Sequence, residues 1–124
     1  MNQKGLPAMV ECQAQGVKVH VAGVYGAGVL VGHNTHNYVT ADEEALALGQ
    51  RWAELAAAHG VSLPAVALAF CAMPACVEKL VIGCATVEEL EQNLAALEES
   101  ASVPAGLWAE AKEGGLLPAD LPTL

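Results

Sequence analysis

The chain has 124 residues, of which 54% are hydrophobic and 15% charged, and its formal net charge is -9. This composition indicates one soluble globular domain, and it contains no apolar run of the roughly 18 to 20 residues that a membrane span needs. Without clustered Lys and Arg, or a signal-peptide pattern between Met1 and Gly16, the sequence predicts a cytoplasmic protein that binds neither nucleic acid nor membrane.

The first predicted elements are a short helix and a strand. The helix covers residues 7–15 and ends at Gly16, where glycine is a common stop signal. The strand follows from the alternation of Val17, Val19 and Val21 with other residues in a β-branched run.

Three glycines, Gly23, Gly26 and Gly28, come directly after this strand. Glycines let backbone amides approach an anionic group closely, and loops at the carboxyl ends of parallel strands often bind ligands. The spacing differs from the dinucleotide pattern G-x-G-x-x-G, and glycines after a strand also serve as ordinary turn residues. Local sequence therefore leaves both a phosphate-binding loop and a plain turn open.

Two helices are predicted next, after a polar connection over residues 33–39. A capping box at residues 40–43 opens a helix over residues 41–59. Its expected core stripe consists of Leu48, Trp52, Leu55 and Ala56. A second helix over residues 63–72, capped by Ser62, is apolar on nearly every side and must be buried by several neighbours.

The remaining elements are a strand and two helices. Residues 79–83 form a continuous apolar run, which suits a parallel sheet covered on both faces. A capping box at residues 86–89 opens a helix over residues 87–98. The core stripe expected for that helix consists of Val87, Leu90, Leu94 and Leu97. The last helix begins at Pro104 and runs to Lys112, before a pair of glycines.

Strands that alternate with helices predict an α/β protein with a parallel sheet. Two strands alone would leave two open edges, and the apolar helix stripes would lack a sheet face to cover them. We therefore expect the chain to be part of a larger barrel or sheet, and to self-associate when it is isolated.

Cysteine and histidine residues are candidates for metal binding or redox chemistry. The four cysteines form no C-x-x-C pair, and we interpret Cys71, Cys76 and Cys84 as small buried side chains. His33 and His36 form an H-x-x-H pair, but their neighbours are typical of a loop. A solvated pair is therefore favoured over a metal site, and no metal ligand is predicted.

An ordered series of motifs resembles the carboxyl-terminal portion of an aldo-keto reductase. The motifs are the glycine loop at residues 23–30, the Tyr38 region, the helix at residues 63–70, residues 83–86 with Glu89, Gln92 and Asn93, and the ending at residues 114–118. Within the family the sequence is most similar to sugar dehydrogenases of the D-threo-aldose or L-fucose 1-dehydrogenase type. The resemblance implies that residues 1–124 are the last two strands of a (β/α)8 TIM barrel, with their helices.

The resemblance also implies a site for NAD(P). The loop after the first strand would contact the pyrophosphate through Gly23, Val24, Tyr25 and Gly28. The loop after the second strand and the helix that follows would hold the adenosine end through Gly83, Cys84, Ala85, Thr86, Gln92 and Asn93. A capped helix N-terminus offers free amides and a positive dipole end, which agrees with this role.

Alternatives remain open at several of these positions. Thr86 could serve as a helix cap alone, while Gln92 and Asn93 could belong to a solvated helix face. Relatives often carry a cation where this sequence has Ala85, and other members of the superfamily carry one where it has Glu89. Binding of a 2′-phosphate is therefore disfavoured, and NAD is expected rather than NADP.

The family's catalytic Asp, Tyr, Lys and His belong to earlier strands, so the resemblance implies that this chain contributes no catalytic residue. We expect the cofactor-binding portion of an NAD-linked dehydrogenase that oxidises a sugar hydroxyl by hydride transfer, inactive by itself. One alternative is a non-catalytic structural or interaction remnant that pairs with another half-barrel. Another is a small free-standing enzyme that uses His33 or His36.

Overall fold

The computed structural model of the chain describes residues 1, 3–31, 35–36, 39–40 and 43–121. In chain order its elements are α1 (Leu6–Ala14), β1 (Val19–Ala22), a 3-10 helix (Gly26–Val31), β2 (Thr35–His36), β3 (Val39–Thr40), α2 (Glu43–Ala58), α3 (Leu63–Ala72), β4 (Val77–Val81), α4 (Val87–Ser100) and α5 (Ala105–Glu113). Strands and helices alternate as the sequence predicted, and the α/β class is confirmed.

The two longest strands, β1 and β4, pair in parallel. Val19 lies opposite Val77 and Ala22 opposite Val81, with a register shift directly after Val19. The predicted parallel pairing is confirmed, but the second strand begins and ends two residues earlier than expected. Pairing with β1 sets its start, since the Val19 N–H donates to the Cys76 carbonyl at 2.8 Å just before β4.

A short antiparallel pair, β2 with β3, occupies part of the region predicted as a polar connection. The rest of that region, including His33 and Tyr38, lies outside the described residues. So does the interaction predicted for the capping box at residues 40–43, because residues 41–42 are not described.

The core is built around α3. Its residues 65–68 are at most 1% exposed, and they join two apolar clusters. One cluster contains Trp52 of α2 and Leu107 of α5, and the other contains Val24 and Ala96. Full burial of a large apolar side chain contributes about 1.5 to 3 kcal/mol to the free energy of unfolding. Helix α3 therefore stabilises the packing of both clusters. The prediction that it is buried on several sides is confirmed.

The cap predicted for α3 agrees with the structure, whereas α5 begins one residue later than predicted, at Ala105. Ser62 Oγ accepts from the Ala65 N–H at 3.3 Å, and the Glu99 carboxylate in turn accepts from the Ser62 N–H at 3.0 Å. Helix α5 follows Pro104 and ends before two glycines, the second of which, Gly115, has φ of 70°. On α2 the stripe is only partly as predicted, because Leu48 is 41% exposed.

The predicted core stripe of α4 is wrong for this chain. Val87, Leu90, Leu94 and Leu97 are 66%, 48%, 53% and 51% exposed. Helix α4 instead packs on α3 through its opposite side, where Ala96 is 5% exposed. Helical periodicity identified an apolar stripe correctly, but no element among the described residues covers it.

Among the described residues, none of the helices has by itself the length and apolar character required to cross a membrane. Helices α2 and α3 meet that test only as a pair, and the pair is bent by 98°.

The exposed stripe predicts that the isolated chain self-associates, with a mass in solution above the 12.7 kDa of one copy. Replacing Leu90 and Leu94 together by glutamate should lower this mass toward the monomer, because buried carboxylates would oppose the contact. Sedimentation velocity measures the effect. The matched control replaces Leu46 and Leu48, each 41% exposed on α2, by glutamate and should not change the mass. Equal masses for both double variants would contradict the prediction.

Candidate functional site

A cleft of about 420 Å³ opens at the carboxyl ends of β1 and β4, between the loops that follow these strands. Because the strands are parallel, the two loops leave the sheet on the same side. The cleft is lined by Gly23, Val24, Tyr25, Gly28, Val31, Val81, Ile82, Gly83, Glu89, Gln92 and Asn93. Its volume lies within the range of about 300 to 1,000 Å³ that is usual for small-molecule sites.

The glycine loop forms one wall of this cleft. Gly23, Gly26 and Gly28 have φ of 71°, 58° and 115°, a region that residues with a Cβ rarely adopt. The Gly26 N–H donates to the Gly23 carbonyl and the Gly28 N–H to the Tyr25 carbonyl, both at 3.0 Å. These bonds close the loop into the start of the 3-10 helix, so the amides of Gly26 and Gly28 are engaged inside it.

The start of α4 forms the opposite wall. Thr86 Oγ1 accepts from the Glu89 N–H at 3.1 Å, as the capping box predicted. The Glu89 carboxylate accepts from the Ala85 N–H at 2.6 Å, one residue before the amide that the capping box predicted. The Glu89 carboxylate therefore already accepts from one of the backbone N–H groups at the start of α4. Such N–H groups are where an anionic ligand would otherwise bind.

A hydrogen-bonded bridge joins the two walls. The Tyr25 hydroxyl donates to Asn93 Oδ1 at 2.8 Å, and Asn93 Nδ2 donates to Cys84 Sγ at 3.1 Å. Burial raises the pKa of Tyr25, and the charge of a Cys84 thiolate raises it further. Tyr25 therefore stays a neutral donor at neutral pH. The alternative that Asn93 belongs only to a solvated helix face is wrong, because its Oδ1 and its Nδ2 both form hydrogen bonds within the chain.

The burial of the cysteine side chains differs from the prediction at Cys84. Cys76 is buried and Cys71 is partly buried, but Cys84 is exposed. The interpretation of Cys84 as a buried small side chain is therefore wrong, because the loop after β4 carries it to the surface beside Asn93. Burial raises the pKa of the Cys71 thiol.

Seven of the ten residues predicted to bind the cofactor line the cleft: Gly23, Val24, Tyr25, Gly28, Gly83, Gln92 and Asn93. Cys84 accepts a hydrogen bond from Asn93 but is not part of the described lining of the cleft. Ala85 and Thr86 form hydrogen bonds at the start of α4 and are not part of that lining either. The sequence prediction did not include Val31, Val81 and Ile82 in the site. It did not count Glu89 among the cofactor-binding residues either, but the resemblance already placed that residue where it would disfavour a 2′-phosphate, and Glu89 lines the cleft.

His20 and His59 lie outside the cleft. His20 pairs with Glu78 at 3.1 Å across the two strands, and His59 pairs with Glu110 at 2.9 Å. Among the described residues no group of three or more His, Cys, Asp or Glu side chains is placed to hold a metal ion.

Comparison with known proteins identifies the family. The sequence profile of the aldo/keto reductase family matches residues 3–103. The chain belongs to this family. It is 28% identical over 109 residues to a pyridoxal 4-dehydrogenase of Microbacterium luteolum, which covers 85% of the chain and 31% of that protein. It is 45% identical over 62 residues to a D-threo-aldose 1-dehydrogenase of Pseudomonas sp, which covers 48% of the chain and 18% of that protein.

The family predicted from the sequence motifs is thus confirmed, and the fold of the family is the TIM barrel. The chain spans less than a third of the length of these two curated relatives. Both relatives are named as dehydrogenases.

The bridge between the two walls generates a prediction about Tyr25. In a Tyr38→Phe variant, Tyr25 is the only tyrosine left to titrate. We expect its pKa to lie above the ordinary value near 10, and Cys84→Ser to lower it by removing the thiolate charge. Ultraviolet absorbance of the phenolate measures both, with circular dichroism at each pH to confirm folding. Cys12→Ser, on α1, is the control and should not change the titration. An ordinary pKa that does not respond to Cys84→Ser would contradict the bridge.

Proposed function

We propose that this chain is the cofactor-binding, carboxyl-terminal portion of an NAD-linked aldose 1-dehydrogenase. The observation that carries the proposal is the cleft in which the glycine loop after β1 meets the start of α4 after β4. Both of these loops are the ones that the family resemblance assigns to the dinucleotide. The 45% identity to the D-threo-aldose 1-dehydrogenase supports an aldose as the substrate.

The residues present fit a dinucleotide. A Cβ added at Gly23 or Gly83 would meet no atom within 4 Å, so the backbone of both loops is open to a close approach from the cleft. In the proposal, Gly23, Val24, Tyr25 and Gly28 hold the pyrophosphate side, and the loop and helix after β4 hold the adenosine side. The nicotinamide, when bound, supplies the hydride acceptor.

Asn93 and Tyr25 fix the width of the cleft in this proposal. Their hydrogen bond, at 2.8 Å, ties the glycine loop to α4, so that both walls are preorganised before the cofactor enters. The acid/base group that takes the proton of the sugar hydroxyl lies outside this chain, which leaves the chain inactive alone. The exposed stripe of α4 favours the second candidate, a non-catalytic structural or interaction remnant that pairs with another half-barrel.

Glu89 carries the proposed preference for NAD over NADP. It lines the cleft, and its carboxylate already occupies the Ala85 amide. A 2′-phosphate near the start of α4 could not accept from the Ala85 N–H, which is already bonded, and the negative charge of Glu89 would repel it. The 2′-hydroxyl of NAD carries no charge, so it avoids this repulsion.

The proposal is tested by joining this chain to the amino-terminal part of the Pseudomonas D-threo-aldose 1-dehydrogenase that precedes the matched segment. We expect the chimera to form NADH with L-fucose, D-arabinose or L-galactose, and to prefer NAD over NADP by about tenfold or more. The isolated chain should form no NADH. Absence of turnover in a folded chimera would contradict the function, as would ordinary turnover by the isolated chain.

Variants of the chimera separate the cofactor preference from the function. Glu89→Gln keeps an acceptor for the Ala85 N–H but removes the charge, so it should raise NADP affinity, and Ala85→Arg should raise it further. The matched control is Glu88→Gln, an exposed glutamate of the same helical turn that is not part of the described cleft lining. Tighter binding of NADP than of NAD by the unaltered chimera would refute the role of Glu89.

A further inference from the structure

Helix α1 packs on the rest of the chain through one narrow face. None of its residues is buried. Its partly buried residues are Leu6, Met9 and Cys12, which are spaced three apart and therefore lie on one face of the helix. Cys12 is thus on the side of α1 that is turned toward the rest of the chain.

The thiol of a second cysteine contacts the same face. Cys76 directly precedes β4 and is 3% exposed, and its Sγ donates to the Met9 carbonyl at 3.5 Å. The carbonyl of a helical residue points toward the residues three and four positions further on, and a short polar side chain at those positions can reach back to it. Cys12 is three positions beyond Met9. Both sulfur atoms therefore lie within reach of the same carbonyl oxygen.

Backbone hydrogen bonds also hold the two cysteines near each other. The Val17 N–H donates to the Cys12 carbonyl and the Val19 N–H to the Cys76 carbonyl, both at 2.8 Å. The two donor nitrogens are only two residues apart, which is at most about 7 Å along the chain. Side-chain and backbone contacts thus bring Cys12 and Cys76 together where β1 begins, although the two residues are far apart in the sequence.

The two thiols differ in their access to solvent, as thiol–disulfide exchange in two steps requires. Cys12 is partly exposed, whereas Cys76 is buried. A small-molecule disulfide can therefore reach Cys12 first, and Cys76 can then attack only a sulfur that the fold places beside it. Cys71 is nearer to Cys76 in the sequence, but it packs against both apolar clusters instead. The fold therefore favours Cys12 as the partner of Cys76.

We propose that Cys12 and Cys76 are a reversible redox pair, which a small-molecule disulfide such as glutathione disulfide oxidises. The Cys12 thiolate attacks one sulfur of that disulfide, whose S–S bond breaks and releases one small thiolate. The Cys76 thiol then loses its proton and attacks the Cys12 sulfur, and the Cys12–Cys76 bond forms as the second small thiolate leaves. In all, the two cysteines lose two protons and two electrons, which the small-molecule disulfide gains.

The disulfide would join α1 to the start of the parallel strand pair. The cleft lies at the opposite, carboxyl ends of β1 and β4, so this inference goes beyond the proposed function and does not depend on cofactor binding. A cross-link that closes a long loop stabilises the folded state, because it restricts the unfolded chain. Oxidation is therefore expected to raise the thermal stability of the chain, and reduction to return it to the lower value. Such reversible bonds are the kind found in reducing compartments, where they act as redox sensors.

A variant with Cys71→Ser and Cys84→Ser tests the proposal, because it leaves Cys12 and Cys76 as its only thiols. In a glutathione redox buffer, the intact mass of the single chain should fall by two hydrogens, and tryptic fragments 5–18 and 52–79 should be joined. The cross-link should form at least about tenfold faster in the folded chain than in urea. The thermal midpoint, measured by circular dichroism, should rise by about 5 °C or more, and dithiothreitol should reverse this rise.

The matched control variant carries Cys12→Ser and Cys84→Ser, which leaves Cys71 with Cys76. These two residues are close in sequence, so they should cross-link readily in urea, yet in the folded chain they should do so more slowly than Cys12 with Cys76. Faster cross-linking of this control in the folded chain would overturn the proposal, as would glutathione adducts that never proceed to the Cys12–Cys76 bond. An unchanged or lowered thermal midpoint after cross-linking would also overturn it, because the bond would then not fit the native fold.

Discussion

The parallel pairing of β1 with β4 is the constraint on which the rest of this structure depends. Parallel strands send their following loops to the same side, and here that places the glycine loop beside the start of α4. Helix α3 supports the pair by burial of residues 65–68 against both apolar clusters. The Tyr25 to Asn93 hydrogen bond then joins two loops that are 68 residues apart in the sequence. Without the strand pairing, neither the cleft nor its bridge would form.

Features controlled by neighbouring residues were predictable from the sequence. The cap at Ser62, the cap at Thr86 and the positive φ of Gly23 each follow from a side chain or a missing Cβ acting within a few positions. The family was predictable as well, because its motifs occur in order along the chain. Seven of the ten proposed cofactor residues line one cleft because both loops follow strands of the same sheet.

What the sequence could not predict depends on packing between distant elements. Periodicity located the leucine stripe of α4 but could not show that no described element covers it. Cys84 looked like a core side chain until the loop after β4 placed it at the surface. The capping box predicted that Glu89 would bond back to the start of α4, yet the amide that it uses, that of Ala85, depends on how the chain enters the helix.

The central claim is that the two loops of the parallel pair form one dinucleotide site. The most direct measurement is a titration of NAD into the ¹⁵N-labelled chain, followed by two-dimensional amide NMR. Our account predicts chemical-shift changes in both loops together, at Gly23, Val24 and Gly28 and also at Gly83 and the Asn93 side-chain amide. Shifts confined to one loop, shifts elsewhere in the fold, or no shifts at millimolar NAD in a folded sample would contradict it.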